Sequence, residues 1–142
     1  GHRSWGSPIA AYGFAPPAPA IAQEEIDREV LIAAMIETAE AVANADAIAA
    51  TPGIDALLIG TSDLTADMGI AGQIGHERVA AAYASVGAAC SKHGKTLGMG
   101  GVYDDTHAKT YIGGGARLVL GGADGGFLLA GATARATLLR AG

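Results

Sequence analysis

Four times along this chain a short apolar run gives way to a longer stretch with helical spacing, and this alternation limits the possible folds more than any other feature. The first run, residues 30–36 (VLIAAMI), is continuous and of strand length, as expected of a strand buried on both faces in a parallel sheet. Residues 54–59 (IDALLI), 95–99 (KTLGM) and 116–120 (ARLVL) supply the other three. Thr38 is placed to cap a helix through TAEAVANADAIAA, which Pro52-Gly53 ends. The segment after the second strand, GTSDLTADMGIAGQIG, reads as a glycine-containing loop. A helix over 76–93 follows, with Val79, Tyr83, Val86 and Cys90 at helical spacing and Gly94 closing it. Further helices are expected at about 104–112 and 127–140. Strands alternating with helices imply a parallel α/β sheet with right-handed crossovers. Both an open doubly wound sheet and a (β/α)8 TIM barrel fit. A whole barrel takes roughly 250 residues, so four units are about half of one.

The segment before the first run is different in kind. Residues 1–22 hold four of the five prolines, and Pro16, Pro17 and Pro19 argue against a regular helix or a central strand. The expectation is an irregular, Pro-rich excursion over 1–29, with helical turns around 8–12 and 23–28, preceding four βα units over 30–142.

Composition narrows the function. Half of the residues are hydrophobic and only 16% are charged, which excludes a disordered chain. With a net charge of −5 and no run of Lys or Arg, neither a nucleic-acid surface nor an anionic membrane is an expected partner. The lone Cys90 cannot form an internal disulfide and reads as a small buried hydrophobe in a reducing compartment. No apolar stretch reaches membrane-spanning length and none reads as a signal peptide, so the expected location is cytoplasmic.

Two carboxylates stand where chemistry is expected. Glu37 follows the first strand directly, and Asp63 follows IDALLIG by two residues. The carboxyl ends of parallel strands carry the site in such folds. Neighbouring strands lie about 4.8 Å apart, so two acids at adjacent ends repel unless a hard divalent cation such as Mg²⁺ or Mn²⁺ lies between them. The alternative is that Glu37 caps a helix and Asp63 makes a turn. In the loop Gly60-Thr61-Ser62-Asp63-Leu64, glycine lets the backbone approach a ligand. Consecutive amides there can hold a carboxylate or phosphate, or simply make a βα turn. Ser62 is no nucleophile elbow, because the second glycine of G-x-S-x-G is missing.

Other residues carry weaker signals. Cys90 and His93 lack a second pair for zinc. His76 begins a helix, His107 lies on a polar helix face, and Asp104 and Asp105 start a helix. Asp124 follows the fourth strand and can face the site. GMGGVY and GGADGG lack the nucleotide-binding fingerprint. His2 and Arg3 read as structural residues of the excursion, Arg3 with the option of reaching an anion.

The stretch MIETAEAVANADAIAATPGIDALLIGTSDLTADMGIAGQ resembles the metal-dependent, pyruvate-handling class II aldolases of the 4-hydroxy-2-oxoheptanedioate aldolase family. GKTLGMGG and GARLVLGGADGGFLL continue the likeness in register, and GHRSWG and YGF extend it to the start. The resemblance implies the second half of a (β/α)8 barrel. It also implies a lyase that forms or cleaves 4-hydroxy-2-oxo acids through a metal-stabilised pyruvate enolate, from pyruvate or another 2-oxo acid plus an aldehyde. Glu37 and Asp63 would then bind the divalent metal, Mg²⁺, Mn²⁺ or Co²⁺. Met35, Gly60, Thr61 and Ser62 would adjoin substrate. No Schiff-base lysine is needed, since a metal stabilises the charge.

Two departures concern the acceptor: Met35 stands where many relatives have Gln, and Gly-Thr-Ser-Asp stands where Gly-Pro-Ala-Asp is frequent. The family's catalytic His, its Asp partner and its pyruvate-binding Arg belong to the first half of the barrel, so no catalytic proton-transfer residue is identified in this chain. Two alternatives remain: a carbon–carbon lyase on acyl-CoA thioesters, for which the scattered cations give little support, and a non-catalytic half barrel that associates with a partner chain. A homo-oligomer is expected, with the apolar last helix, FLLAGATARATLL, packing on a neighbouring subunit.

Overall fold

The computed structural model describes residues 10–141. The chain forms two compact units, the first ending at Leu31 and the second beginning at Ile32.

In the first unit a single 3-10 turn, Ala10–Tyr12, precedes helix α1, Pro19–Glu29. This helix is longer than the one turn expected over 23–28. Pro19 does not forbid it, because Pro19 lies in the helix's first turn, where a missing N–H costs nothing and the fixed φ already suits a helix. The Tyr12 hydroxyl donates to Glu25 Oε2 at 2.9 Å. The expected turn over 8–12 is described only at its end, and the expectations for His2 and Arg3 fall outside the described residues.

The second unit alternates strand and helix throughout: β1 Ala33–Ile36, α2 Ala39–Ala43, α3 Ala45–Ala49, β2 Ala56–Gly60, α4 Thr61–Asp67, α5 Glu77–His93, β3 Thr96–Gly100, α6 Asp105–Gly113, β4 Leu118–Val119 and α7 Asp124–Arg140. The four strands are parallel and lie in chain order, β1-β2-β3-β4. A doubly wound sheet reverses its strand order at a switch point; unbroken order is the winding of a barrel wall.

The two faces of the sheet differ as that winding requires. Strand residues alternate between faces. Ile36, Leu57, Ile59, Leu97 and Met99 are buried in one core cluster with Val79, Val86 and Cys90 of α5. The other face carries the register row Met35, Leu58, Gly98 and Leu118. There Met35 is 47% exposed. β1 is therefore not buried on both faces as expected, and Val30, Leu31 and Ile32 lie outside the strand and are exposed. Leu58 is buried because Gly98 gives it room: a Cβ at 98 would lie 2.7 Å from Leu58 Cδ1.

Local chemistry sets most boundaries. Thr38 caps α2 by accepting from the Ala41 N–H at 3.0 Å, as expected. The single helix expected after it is two, separated at Asn44. Gly94, at φ 65°, closes α5, and Asp104 caps α6 by accepting from the His107 N–H. The third strand lies one residue later than expected, β4 is shorter, and α7 starts three residues earlier at Asp124. Helix α7 buries none of its side chains, and Phe127, Leu128, Leu129, Leu138 and Leu139 are exposed.

Candidate active site

The carboxyl edge of the sheet is built where one strand lends space to its neighbour. Ile36 pairs with Ile59, so the next residues along, Glu37 and Gly60, face each other across β1 and β2. Strand alternation puts Glu37 on the same face as Met35, the face away from the helices. The half-buried Glu37 side chain lies directly over Gly60: a Cβ there would stand 2.6 Å from Glu37 Oε1 and 2.8 Å from Cγ. Gly60 is required by this close approach and not by its backbone, whose φ is −83°.

Gly60 is also the N-cap of α4, so residues 61–67 are a helix and not the loop the sequence suggested. Asp63 is in its first turn, where a carboxylate is favoured by the helix dipole. Helical spacing buries Thr61, Leu64 and Thr65 on one side and leaves Ser62 and Asp63 exposed on the other. The start of α2 is strapped to this helix, because Asp67 Oδ2 accepts from the Ala39 N–H at 2.8 Å. β3 closes in from the other side. Gly101, at φ 76°, would carry a Cβ 2.8 Å from Ser62 Oγ and 3.0 Å from the Ser62 nitrogen.

Thr61 itself turns inward. Its Oγ1 lies 2.8 Å from the Tyr83 hydroxyl in the core, so only its backbone is left for a ligand. Tyr83 stacks on Tyr111 with ring centroids 3.8 Å apart and planes at 9°. Burial pushes the Tyr83 phenol up to about 12, with the Thr61 hydrogen bond opposing the rise. Tyr111 is raised by burial and then by the Asp104 charge, and its hydroxyl donates to the Ile74 carbonyl at 2.6 Å.

Carboxylate oxygens are the donor type that a hard divalent cation takes. Among the described residues no group of three or more His, Cys, Asp and Glu gathers as a ligand set. A cation held by Glu37 and Asp63 alone would have to complete its shell with water and substrate oxygens, as Mg²⁺ characteristically does. Asp124 sits in the first turn of α7, where its Oδ1 accepts from the Gly125 N–H. His76 is the N-cap of α5, its Nδ1 accepting from the Arg78 N–H. His107 is half-buried over Gly75 and paired with Asp104 at 2.8 Å. Buried Cys90 and half-buried His93 join no metal group among the described residues.

A parallel sheet wound in one direction, with Glu37 after β1 and Asp63 in the helix after β2, defines one side of a barrel of the (β/α)8 class. The chain belongs to the HpcH/HpaI aldolase/citrate lyase family, whose model matches residues 13–130. It is 49% identical over 74 residues to a 4-hydroxy-4-methyl-2-oxoglutarate aldolase of Hapsidospora irregularis, covering 52% of this chain and 27% of that one. It is 36% identical over 103 residues to a hydroxypyruvate/pyruvate aldolase of Pseudomonas aeruginosa, covering 72% and 38%. Among solved structures, an HpcH/HpaI aldolase from Desulfitobacterium hafniense superposes with a TM-score of 0.77 at 30% identity, over 97% of this chain and 53% of that one. The chain thus spans about half of that structure and a smaller share of these curated relatives.

Sequence reasoning singled out Glu37, Asp63 and residues 60–62 but missed Tyr83 and Gly101 as parts of the same construction. Tyr83 was legible only as a core position of α5. A buried threonine hydroxyl needs a partner, but its partner 22 residues away leaves no local pattern. Gly101 was one glycine among many.

Proposed function

We propose that this chain supplies the metal-binding half of a class II aldolase, a lyase that forms or cleaves 4-hydroxy-2-oxo acids by way of the pyruvate enolate. The observation that carries the reading is the Glu37 carboxylate laid over Gly60, one helical turn from Asp63, on a chain of an aldolase family. Glu37 and Asp63 hold the divalent cation, with Mg²⁺, Mn²⁺ and Co²⁺ as candidates. When bound, the cation supplies positive charge against the oxygen on which charge builds as a C–H bond next to the carbonyl breaks. Gly60 keeps the Glu37 carboxylate at the edge of the sheet. The leading amides of α4, at Thr61 and Ser62, have no acceptor inside the helix and suit the substrate carboxylate. Met35 borders the substrate from β1. The proton-transfer groups belong to the other half of the barrel.

The test is exchange of the pyruvate methyl protons with deuterium in the whole protein, followed by NMR with and without Mn²⁺. Glu37→Gln should abolish the metal-dependent exchange; a variant that still exchanges at the wild-type rate refutes the assignment.

The exposed face of the sheet favours a second element of the reading. Met35 and Leu120 are each 47% exposed, and α7 is apolar without burying a side chain. A wall of four strands needs cover on that face and at both edges. The other βα units of the barrel provide it, and α7 packs on a neighbouring copy in a homo-oligomer. Native mass spectrometry of the whole protein tests this; a stable monomer speaks against the oligomer. Among the described residues no helix is long and apolar enough to cross a membrane.

A further inference from the structure

A buried polar construction of the second unit joins α4, which carries Asp63, to α5 and α6. Helix α4 is held at two points of one face. At its first residue, buried Thr61 meets the Tyr83 hydroxyl at 2.8 Å. One turn later, Thr65 Oγ1 donates to the Ser62 carbonyl at 2.8 Å and accepts from the Gly72 N–H at 3.1 Å. Tyr83 is itself fixed by its stack on Tyr111, whose hydroxyl is tied to the Ile74 carbonyl. Among the described residues no buried side-chain polar atom lacks a partner. Thr61 and Thr65 are spaced i, i+4 and share a face. Fixing them sets the rotation of the helix about its own axis, and with it the direction in which Ser62 and Asp63 are presented.

We infer that Tyr83 is a positioning residue for Asp63: its hydroxyl, through Thr61, sets the rotation of the first turn of α4 and so the placement of the Asp63 carboxylate. Tyr83 touches neither cation nor substrate; it acts through Thr61. Without its hydroxyl the Thr61 side chain loses its partner in the core, and the first turn of a seven-residue helix is held only from Leu64 and Thr65 onward. The inference rests on the reading of Asp63 as a metal ligand.

Four forms of the whole protein test it: wild type, Tyr83→Phe, Thr61→Val and the double variant. Three quantities are measured on each: the Kd for Mn²⁺ by electron paramagnetic resonance without substrate, amide exchange of residues 60–67 without metal, and the thermal midpoint. Tyr83→Phe should weaken Mn²⁺ binding about tenfold, the size of one buried hydrogen bond lost, and speed exchange in residues 60–67. The double variant replaces both polar groups by apolar ones of similar shape, so its thermal midpoint should return toward wild type while its Mn²⁺ affinity stays weak. Recovery of stability and Mn²⁺ affinity together would show a core contact with no positioning role and would overturn the inference. So would a Tyr83→Phe protein with wild-type affinity. Wild type that binds no Mn²⁺ refutes the metal reading and the inference together, whereas a binding wild type with an indifferent Tyr83→Phe refutes the inference alone.

Discussion

Gly60→Ala separates the geometry of the site from the stability of the fold. The added methyl carbon would stand 2.6 Å from Glu37 Oε1, 2.8 Å from Cγ and 3.1 Å from Cδ. Ordinary contact begins near 3.4 Å, so the carboxylate must retreat by about 0.8 Å or change rotamer. The φ of Gly60 is −83°, open to alanine, and the three nearest atoms all belong to one flexible side chain, that of Glu37. Replacing glycine also restricts the unfolded chain, which favours folding by about 0.4–1 kcal/mol. The variant should therefore melt at or slightly above the wild-type temperature.

Its chemistry should suffer out of proportion. A displacement near 1 Å in a catalytic constellation costs on the order of 100-fold, or about 2.7 kcal/mol of transition-state stabilisation. Deuterium exchange into the pyruvate methyl at saturating Mn²⁺ reads this loss, and a Mn²⁺ titration shows how much of it lies in metal affinity. A variant that keeps wild-type affinity and exchange would mean that Glu37 does not work from its place over Gly60.

Other perturbations probe the supports. Asp67→Ala removes the acceptor for the Ala39 N–H and should lower stability by about 0.5–2 kcal/mol in a denaturant titration. Gly101→Ala places a Cβ against Ser62 at a φ of 76°; unlike Gly60→Ala it should lower the thermal midpoint as well as weaken pyruvate, read as a rise in KM. Tyr83 gives a pH dependence. Its folded-state phenol is pushed up to about 12, above the unfolded value near 10, so the unfolded chain loses this proton first. The contribution, roughly 3 kcal/mol, is intact below pH 10 and lost between pH 10 and 12. Urea titrations across that range should show a larger fall in wild type than in Tyr83→Phe, which keeps the share of Tyr111, also raised by burial.

The parts of the fold that were legible are those set by local chemistry. Thr38, Gly94 and Asp104 stand at helix ends because their side chains or backbone satisfy those ends within a few residues. What escaped depends on neighbours distant in sequence. VLIAAMI looks like a strand along its whole length, yet only its last four residues pair, because β2 begins at Ala56, opposite Ala33. GTSDLTAD looks like a loop because Gly, Thr, Ser and Asp favour turns. It is a helix because Thr61, Leu64 and Thr65 find buried partners on one side. Glu37 and Asp63 stood out because strand ends are where such folds place their chemistry. How Glu37 reaches its place could not be read, since it depends on what Gly60 lacks.

The glycines at this edge share one logic. A strand in a parallel sheet has neighbours about 4.8 Å away, which leaves little room for a side chain to cross over the next strand unless that strand has none at the crossing. Leu58 crosses at Gly98, Glu37 at Gly60, and the start of α4 meets Gly101. The Leu58 crossing is in the middle of the sheet and buries an apolar side chain; the other two are at the carboxyl edge and arrange polar groups. The same device thus packs the wall of the barrel and, two residues further along, gives the Glu37 side chain its place over Gly60. A side chain introduced at Gly98 would displace Leu58 and cost stability first, whereas one at Gly60 would displace Glu37, the proposed metal ligand. The boundary between structure and function on this sheet therefore falls between Gly98 and Gly100, the register partner of Gly60.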